Sequence, residues 1–190
     1  MIAVVALVLV CGCVLSGVFW LRSIDRGKPD SDTGASQVVD YRKTNPTALT
    51  RDHKLGRISY PMSPPAGGPH NPIWQNCEGN VYEAPIASEH AVHSLEHGAV
   101  WITYRPDLPR DQVDALANRV RGSDYLLMSP YPGLDRPISL QAWGYQLKVD
   151  SASDKAIDAF ITTYRRNASL EPGAPCGAGI TTTGTEPLPR

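Results

Sequence analysis

From Ile2 to Leu21 no side chain carries a charge. Twenty residues of helix rise about 30 Å, roughly the hydrocarbon thickness of a bilayer. The run therefore predicts one membrane-spanning helix, with Trp20 near an interface. Two other fates are open to such a segment. A cleaved signal peptide normally shows a basic start, a shorter apolar run and a small-residue cleavage site, and the basic start is missing here. Lipid attachment at Cys13 is the third option, although Val10-Cys11-Gly12 fits a lipoprotein cleavage box only loosely.

The rest of the chain is leaner than its 42% hydrophobic content suggests, because the run takes up much of that share. A net charge of -1 argues against a broad nucleic-acid-binding surface, which carries a basic excess. The nearby basic residues Arg22, Arg26 and Lys28 all follow the run, and by the positive-inside rule alone they would hold the globular part in the cytoplasm. The cysteines point the other way. Cys77 and Cys176 are the two outside the apolar run, and a bridge between them would pin a Pro/Gly-rich tail to the domain in an oxidising compartment. Two independent thiols, or one thiol serving a metal, is the alternative.

Past the run, residues 23–49 are polar and predict a flexible linker, with a globular domain over 50–176 and a disordered tail over 177–190. The stretch from Tyr60 to Pro72 holds too many prolines and glycines for a helix or a central strand and must be a loop. Beyond it the patterns become regular. Ser88 to His97 predicts a helix with Ser88 as N-cap and Gly98 as its stop. Ala99 to Tyr104 and Tyr125 to Ser129 predict buried strands, and Ile138 to Val149 one or two more, interrupted near Gly144. Asp107–Arg121 and Asp154–Arg166 carry apolar stripes at helical spacing. The expected fold class is α+β: a small mixed or antiparallel sheet, two main helices and long Pro/Gly-rich loops, preceded by one transmembrane helix.

Three of the five histidines, His90, His93 and His97, fall within the predicted Ser88–His97 helix. Spacings of three and four residues place them inside an arc of about 60°, so imidazoles can converge on one ion. Glu89 and Glu96 lie beside that arc and can orient the rings. His70 ends the proline-rich loop and can supply a further ligand. Met62 and Met128 are soft candidates that would favour copper over zinc.

Several stretches resemble a bacterial domain-of-unknown-function family, DUF3105. They are Pro64-Pro65-Ala66-Gly67-Gly68-Pro69-His70; Trp74 with Cys77 and Val81-Tyr82; Val92-His93-Ser94-Leu95-Glu96-His97-Gly98-Ala99-Val100-Trp101-Ile102; Ser129-Pro130-Tyr131-Pro132-Gly133-Leu134; Ala142-Trp143-Gly144; and Glu171-Pro172-Gly173-Ala174-Pro175-Cys176. The resemblance spans about residues 60–176. It implies a membrane-anchored or exported protein, often with a basic cytoplasmic leader that this sequence lacks. It implies that His70, His93, Glu96 and His97 belong to the family pattern and that His90 is an addition of this chain. Both Cys77 and Cys176 match, which supports their pairing. The family brings no reaction with it.

The sequence thus predicts a single-span protein of the cell membrane with an extracytoplasmic domain. Its metal site, for copper or zinc, would be built from His70, His93 and His97, with His90 as an additional ligand. Two other functions stay open: an envelope enzyme using a His/Glu pair, and an accessory subunit of a membrane-protein complex.

Overall fold

A computed structural model describes residues 37–189. The described residues belong to one compact unit. The expected span, Ile2 to Leu21, lies outside the described residues. Among those described, no helix is long and apolar enough to cross a membrane.

The sheet is mixed and has six strands in the order β1-β6-β5-β3-β4-β2. They are β1 (Val39–Asp40), β2 (Glu78–Val81), β3 (Val100–Tyr104), β4 (Leu126–Pro130), β5 (Ile138–Ala142) and β6 (Tyr145–Val149). The helices are α1 (Tyr41–Thr44), α2 (Ser88–Glu96), α3 (Arg110–Val120) and α4 (Lys155–Tyr164). Strands β2, β3 and β4 run parallel, and β3-β5-β6-β1 pair antiparallel. Helix α3 is the crossover that lets β3 and β4 run parallel. Gly144, at positive φ, turns β5 back into β6.

The period of two along each strand sorts the core into two unlike faces. Val100, Ile102, Leu126, Met128, Ile138, Leu140, Leu147 and Val149 point to one face, with Leu116, Val120, Ile157 and Phe160 of α3 and α4 in the same apolar cluster. The opposite face alternates apolar and polar. Trp101 and Leu127 pack with Val92 and Leu95 of α2, while Thr103, Ser129, Ser139, Gln141 and Gln146 are buried beside them. Buried polar groups need partners, and these find them within the sheet and in the proline-rich loop. Trp101 Nε1 donates to Ser129 Oγ at 3.0 Å, Thr103 Oγ1 donates to the Ser139 carbonyl at 2.9 Å, and Gln146 Nε2 donates to the Pro64 carbonyl at 2.9 Å. The loop is therefore part of the core. At Gly68, with φ +114°, a side chain would lie 2.7 Å from the Ala48 carbonyl, so only glycine allows that approach.

The segments expected to be linker and tail depart from the sequence reading. Val39 and Asp40 pair with β6, and Tyr41 N–H donates to the Gly144 carbonyl at 2.8 Å, so the domain begins before residue 50. Residues 177–189, expected to be disordered, lie along the 71–76 segment. Asn76 N–H donates to the Ile180 carbonyl at 2.8 Å and Ile180 N–H to the Trp74 carbonyl at 3.0 Å. Low apolar content hid this, because the tail is held by backbone hydrogen bonds, by polar side chains such as Glu186 on Arg57 and by the Cys77–Cys176 disulfide rather than by apolar packing. Ala87 rather than Ser88 is the N-cap of α2.

Candidate metal site

The last turns of α2 and the chain just before it meet at the histidines. Gly98, at φ +105°, ends the helix. Its amide donates to the Leu95 carbonyl at 2.9 Å and the Ala99 amide to the Ser94 carbonyl at 3.0 Å. This stop leaves His93 and His97 one turn apart on the same face, with ring centroids 4.7 Å apart. His70 arrives from the proline-rich loop. His53 arrives because the backbones of residues 52–54 and 70 form a two-hydrogen-bond bridge: His70 N–H to the Asp52 carbonyl at 3.0 Å and Lys54 N–H to the His70 carbonyl at 2.7 Å. The His53 ring then stands 4.9 Å from that of His70 and 5.1 Å from that of His93, and His70 and His93 are 4.8 Å apart.

Two groups of donors result. In the first, one atom from each of His53, His70, His93 and Glu96 lies within 4.8 Å of the others. In the second, His93, His97 and Glu171 do the same. His70, His93, Glu96 and His97 are all buried, whereas His53 is exposed.

The backbone decides which ring nitrogen is free. Nδ1 of His70, His93 and His97 faces the carbonyls of Gly68, Asn71 and Pro175 at 2.8, 2.7 and 2.7 Å. A carbonyl only accepts, so each Nδ1 carries the hydrogen and each neutral ring keeps its lone pair on Nε2. Metal-ligating histidines show this arrangement, with the second nitrogen tied to a carbonyl or carboxylate. His70 Nε2 sits 3.0 Å from Glu96 Oε2, yet the geometry makes no hydrogen bond and Nε2 is buried without a hydrogen-bond partner. A lone pair and a carboxylate oxygen held this close repel unless a proton or a cation lies with them.

Burial, opposed by the hydrogen bond to Asn71 and reinforced by His70, His97 and His53, lowers the pKa of His93 to about 3, so the ring is neutral near pH 7. Burial pushes the Glu96 carboxyl up, but Arg51 and, with the proton that must lie between them in the metal-free protein, His70 outweigh it and hold it at about 2. Arg51 spans both groups, its Nε 2.6 Å from Glu96 Oε1 and its Nη2 3.2 Å from Glu171 Oε1. Both shifts act in one direction on the metal-free protein. His93 takes its proton near 6.5 when unfolded and near 3 when folded; Glu96 does so near 4.5 and near 2. The unfolded chain therefore binds more protons throughout that window, and stability falls as pH falls, first through His93 and below about 4.5 through both. Urea unfolding of the metal-free protein near pH 7, 5.5 and 4 should give successively lower midpoints, and a midpoint that stays level would contradict these protonation states.

His90, expected as an additional ligand, is not brought into either group. Its Nδ1 faces the Ile73 carbonyl at 2.6 Å and its Nε2 accepts the Leu188 amide at 2.9 Å, so both nitrogens are used in holding neighbouring chain. The soft thioethers are absent as well: Met128 lies in the core between the sheet and α3, and Met62 lines a cavity elsewhere. His53 and Glu171 were missed. The signal for Glu171 was its place in the stretch that ends at Cys176. His53 had no local signal beyond being the remaining histidine of the chain.

Residues 93–97 spell His-x-x-Glu-His, an inverted form of the zinc-protease helix. A protease of that kind needs its glutamate free to move a proton and a cleft for substrate. Here Glu96 Oε1 accepts from Arg51 and Oε2 faces the buried His70 ring, and cavities of about 330 and 280 Å³ elsewhere on the domain are lined by other residues. The donor set, imidazoles with one carboxylate, suits a borderline transition metal such as zinc or copper(II).

A family model described as "Protein of unknown function (DUF3105)" matches residues 53–178. No curated protein and no solved structure matches the chain.

Proposed function

Because the chain belongs to the DUF3105 family, for which no function is known, we propose from its own side chains that the domain binds one transition-metal ion, zinc or copper(II), through His53, His70, His93 and Glu96. The observation that carries this is the convergence of four donor atoms within 4.8 Å, two of them on histidines whose Nδ1 atoms are tied to carbonyls. Three neutral nitrogens and one carboxylate match the common coordination of zinc. His93 has one free nitrogen, so an ion held by the first group leaves the second without that ligand. The proposed setting is a membrane-anchored domain outside the cytoplasm. The charge-free run Ile2 to Leu21 supports the anchor, and the Cys77–Cys176 disulfide supports an oxidising compartment. A metal-holding role in service of a neighbouring membrane protein fits that setting.

The test is metal analysis of the purified full-length protein after loading with zinc or copper(II) and removal of excess. About one equivalent should remain, and free metal at about a hundred times Kd should raise the unfolding free energy by about 2.7 kcal/mol. Release on acidification follows, because protons compete for the imidazole nitrogens. Less than about a tenth of an equivalent with an unchanged melting temperature would remove this function.

A further inference from the structure

The first turn of α2 borders a different feature from its last turns: a cavity of about 330 Å³, at the lower end of the range for small-molecule sites. Its apolar side is made by Tyr60, Tyr131, Met62 and several prolines, and its charged side by Glu89. Glu89 is 3% exposed, and its Oε1 accepts the Ile58 amide at 2.8 Å. Among the described residues it makes no ion pair. Arg57, which also lines the cavity, is directed to the tail: its Nε lies 3.0 and 3.1 Å from the two Glu186 oxygens, and its Nη2 is 3.4 Å from Thr185 Oγ1. Glu89 also favours the Arg57 charge, but the ion pair that Arg57 makes is with Glu186.

The aromatic side is fixed. Tyr60 Oη donates to the Pro69 carbonyl at 2.8 Å, which locks its ring against the loop. Burial first, then Glu89 and Tyr131, push the Tyr60 phenol up, which keeps it neutral, and all three groups line the cavity. A buried carboxylate that makes no ion pair, beside two aromatic rings, is the environment that recognises ammonium groups, through charge pairing and the negative faces of the rings. The dipole of α2 and the Ile58 amide offset part of the Glu89 charge, and they are the competing account of why a carboxylate sits here.

We propose that this cavity binds a small organic cation, with Glu89 as counter-ion and the Tyr60 and Tyr131 rings as walls. Choline is a suitable probe, because Ser63, Ser88 and Thr185 line the same cavity and can meet its hydroxyl. Calorimetric titration of the full-length protein should show saturable choline binding. Neohexyl alcohol, its uncharged carbon isostere, should bind at least about tenfold more weakly. Glu89→Gln keeps the side-chain shape and an acceptor for the Ile58 amide, and should weaken choline binding by a similar factor. Tyr131→Leu, at a partly exposed ring, should weaken it about threefold or more, and carries the test if the buried variant does not fold. Absence of saturable choline binding, equal affinity for the alcohol, or unchanged affinity in the folded variants would overturn the proposal and leave Glu89 as a helix-start residue only.

Discussion

His53→Ala should lower affinity for the proposed zinc or copper(II) ion on the order of a hundredfold or more, while His90→Ala should leave it within about threefold. The first figure follows from removing a ligand outright, since loss of an outer partner alone costs about 10–100-fold. His53 is the sharpest residue to change because its ring is exposed, so alanine there leaves no cavity and stability should barely move. His70→Ala should abolish binding as well, but it empties a fully buried position and must be read beside a melting curve. The pattern separates the two donor groups. If the ion sits with His93, His97 and Glu171 instead, His97→Ala becomes the damaging change and His53→Ala the silent one. Competition against a chromophoric chelator measures the parent and all four variants under one condition. Equal affinity in His53→Ala and the parent would place the ion elsewhere.

The second large effect is on stability. Replacing Cys77 and Cys176 together by serine should lower the unfolding free energy by about 4.7 kcal/mol, the chain-entropy value for closing a loop of this length. The cysteines are 99 positions apart, with Cα atoms at 4.8 Å, and both sulfurs are buried. The loss should be felt most at the tail. Residues 174–176 hold the Tyr125 hydroxyl, the His97 Nδ1 and the Cys77 amide through their carbonyls, at 2.8, 2.7 and 3.1 Å. His97 and Glu171 should therefore lose their mutual geometry, while His53, His70, His93 and Glu96 depend on other chain. Urea unfolding checks the stability, and metal titration of the folded variant checks the separation. A difference below about 1 kcal/mol would show that the tail's hydrogen bonds hold it without the bridge.

Much of the architecture was legible because it rests on local patterns. The stripes of Val113, Leu116, Ala117 and Val120 and of Ile157, Phe160 and Ile161 name the apolar faces of α3 and α4, and the β-branched and aromatic runs name β3 and β4. Strands β1 and β2 were not legible. Val39–Asp40 is two residues long, and Glu78–Val81 contains Glu, Gly and Asn, so each is a strand only because a neighbour pairs with it. Of the site, the pairing of His93 with His97 came directly from helix geometry, and His70 from its place at the end of a loop too rich in proline to be idle. His90 was misjudged for a definite reason. Periodicity says which face a ring leaves from, but not which carbonyl or amide its nitrogens then meet.

The sequence by itself determined an apolar run long enough to span a bilayer, a mixed α and β domain, and a helix that presents histidines on one face. These depend on residues close in the chain, whose relative positions the helix and strand repeats set. Only the tertiary structure decided the donor set. His53 reaches His70 through a backbone bridge, Glu171 comes within 3.6 Å of His97, and Arg51 joins the Glu96 and Glu171 carboxylates. The Glu171 meeting rests on residues 169–171, which hydrogen-bond to the Glu96 carbonyl at the end of α2, and such meetings depend on how separate elements pack, so no local repeat encodes them. The same packing turned a loop and a tail that look unstructured in composition into ordered chain, because backbone amides and carbonyls find partners whatever their side chains are.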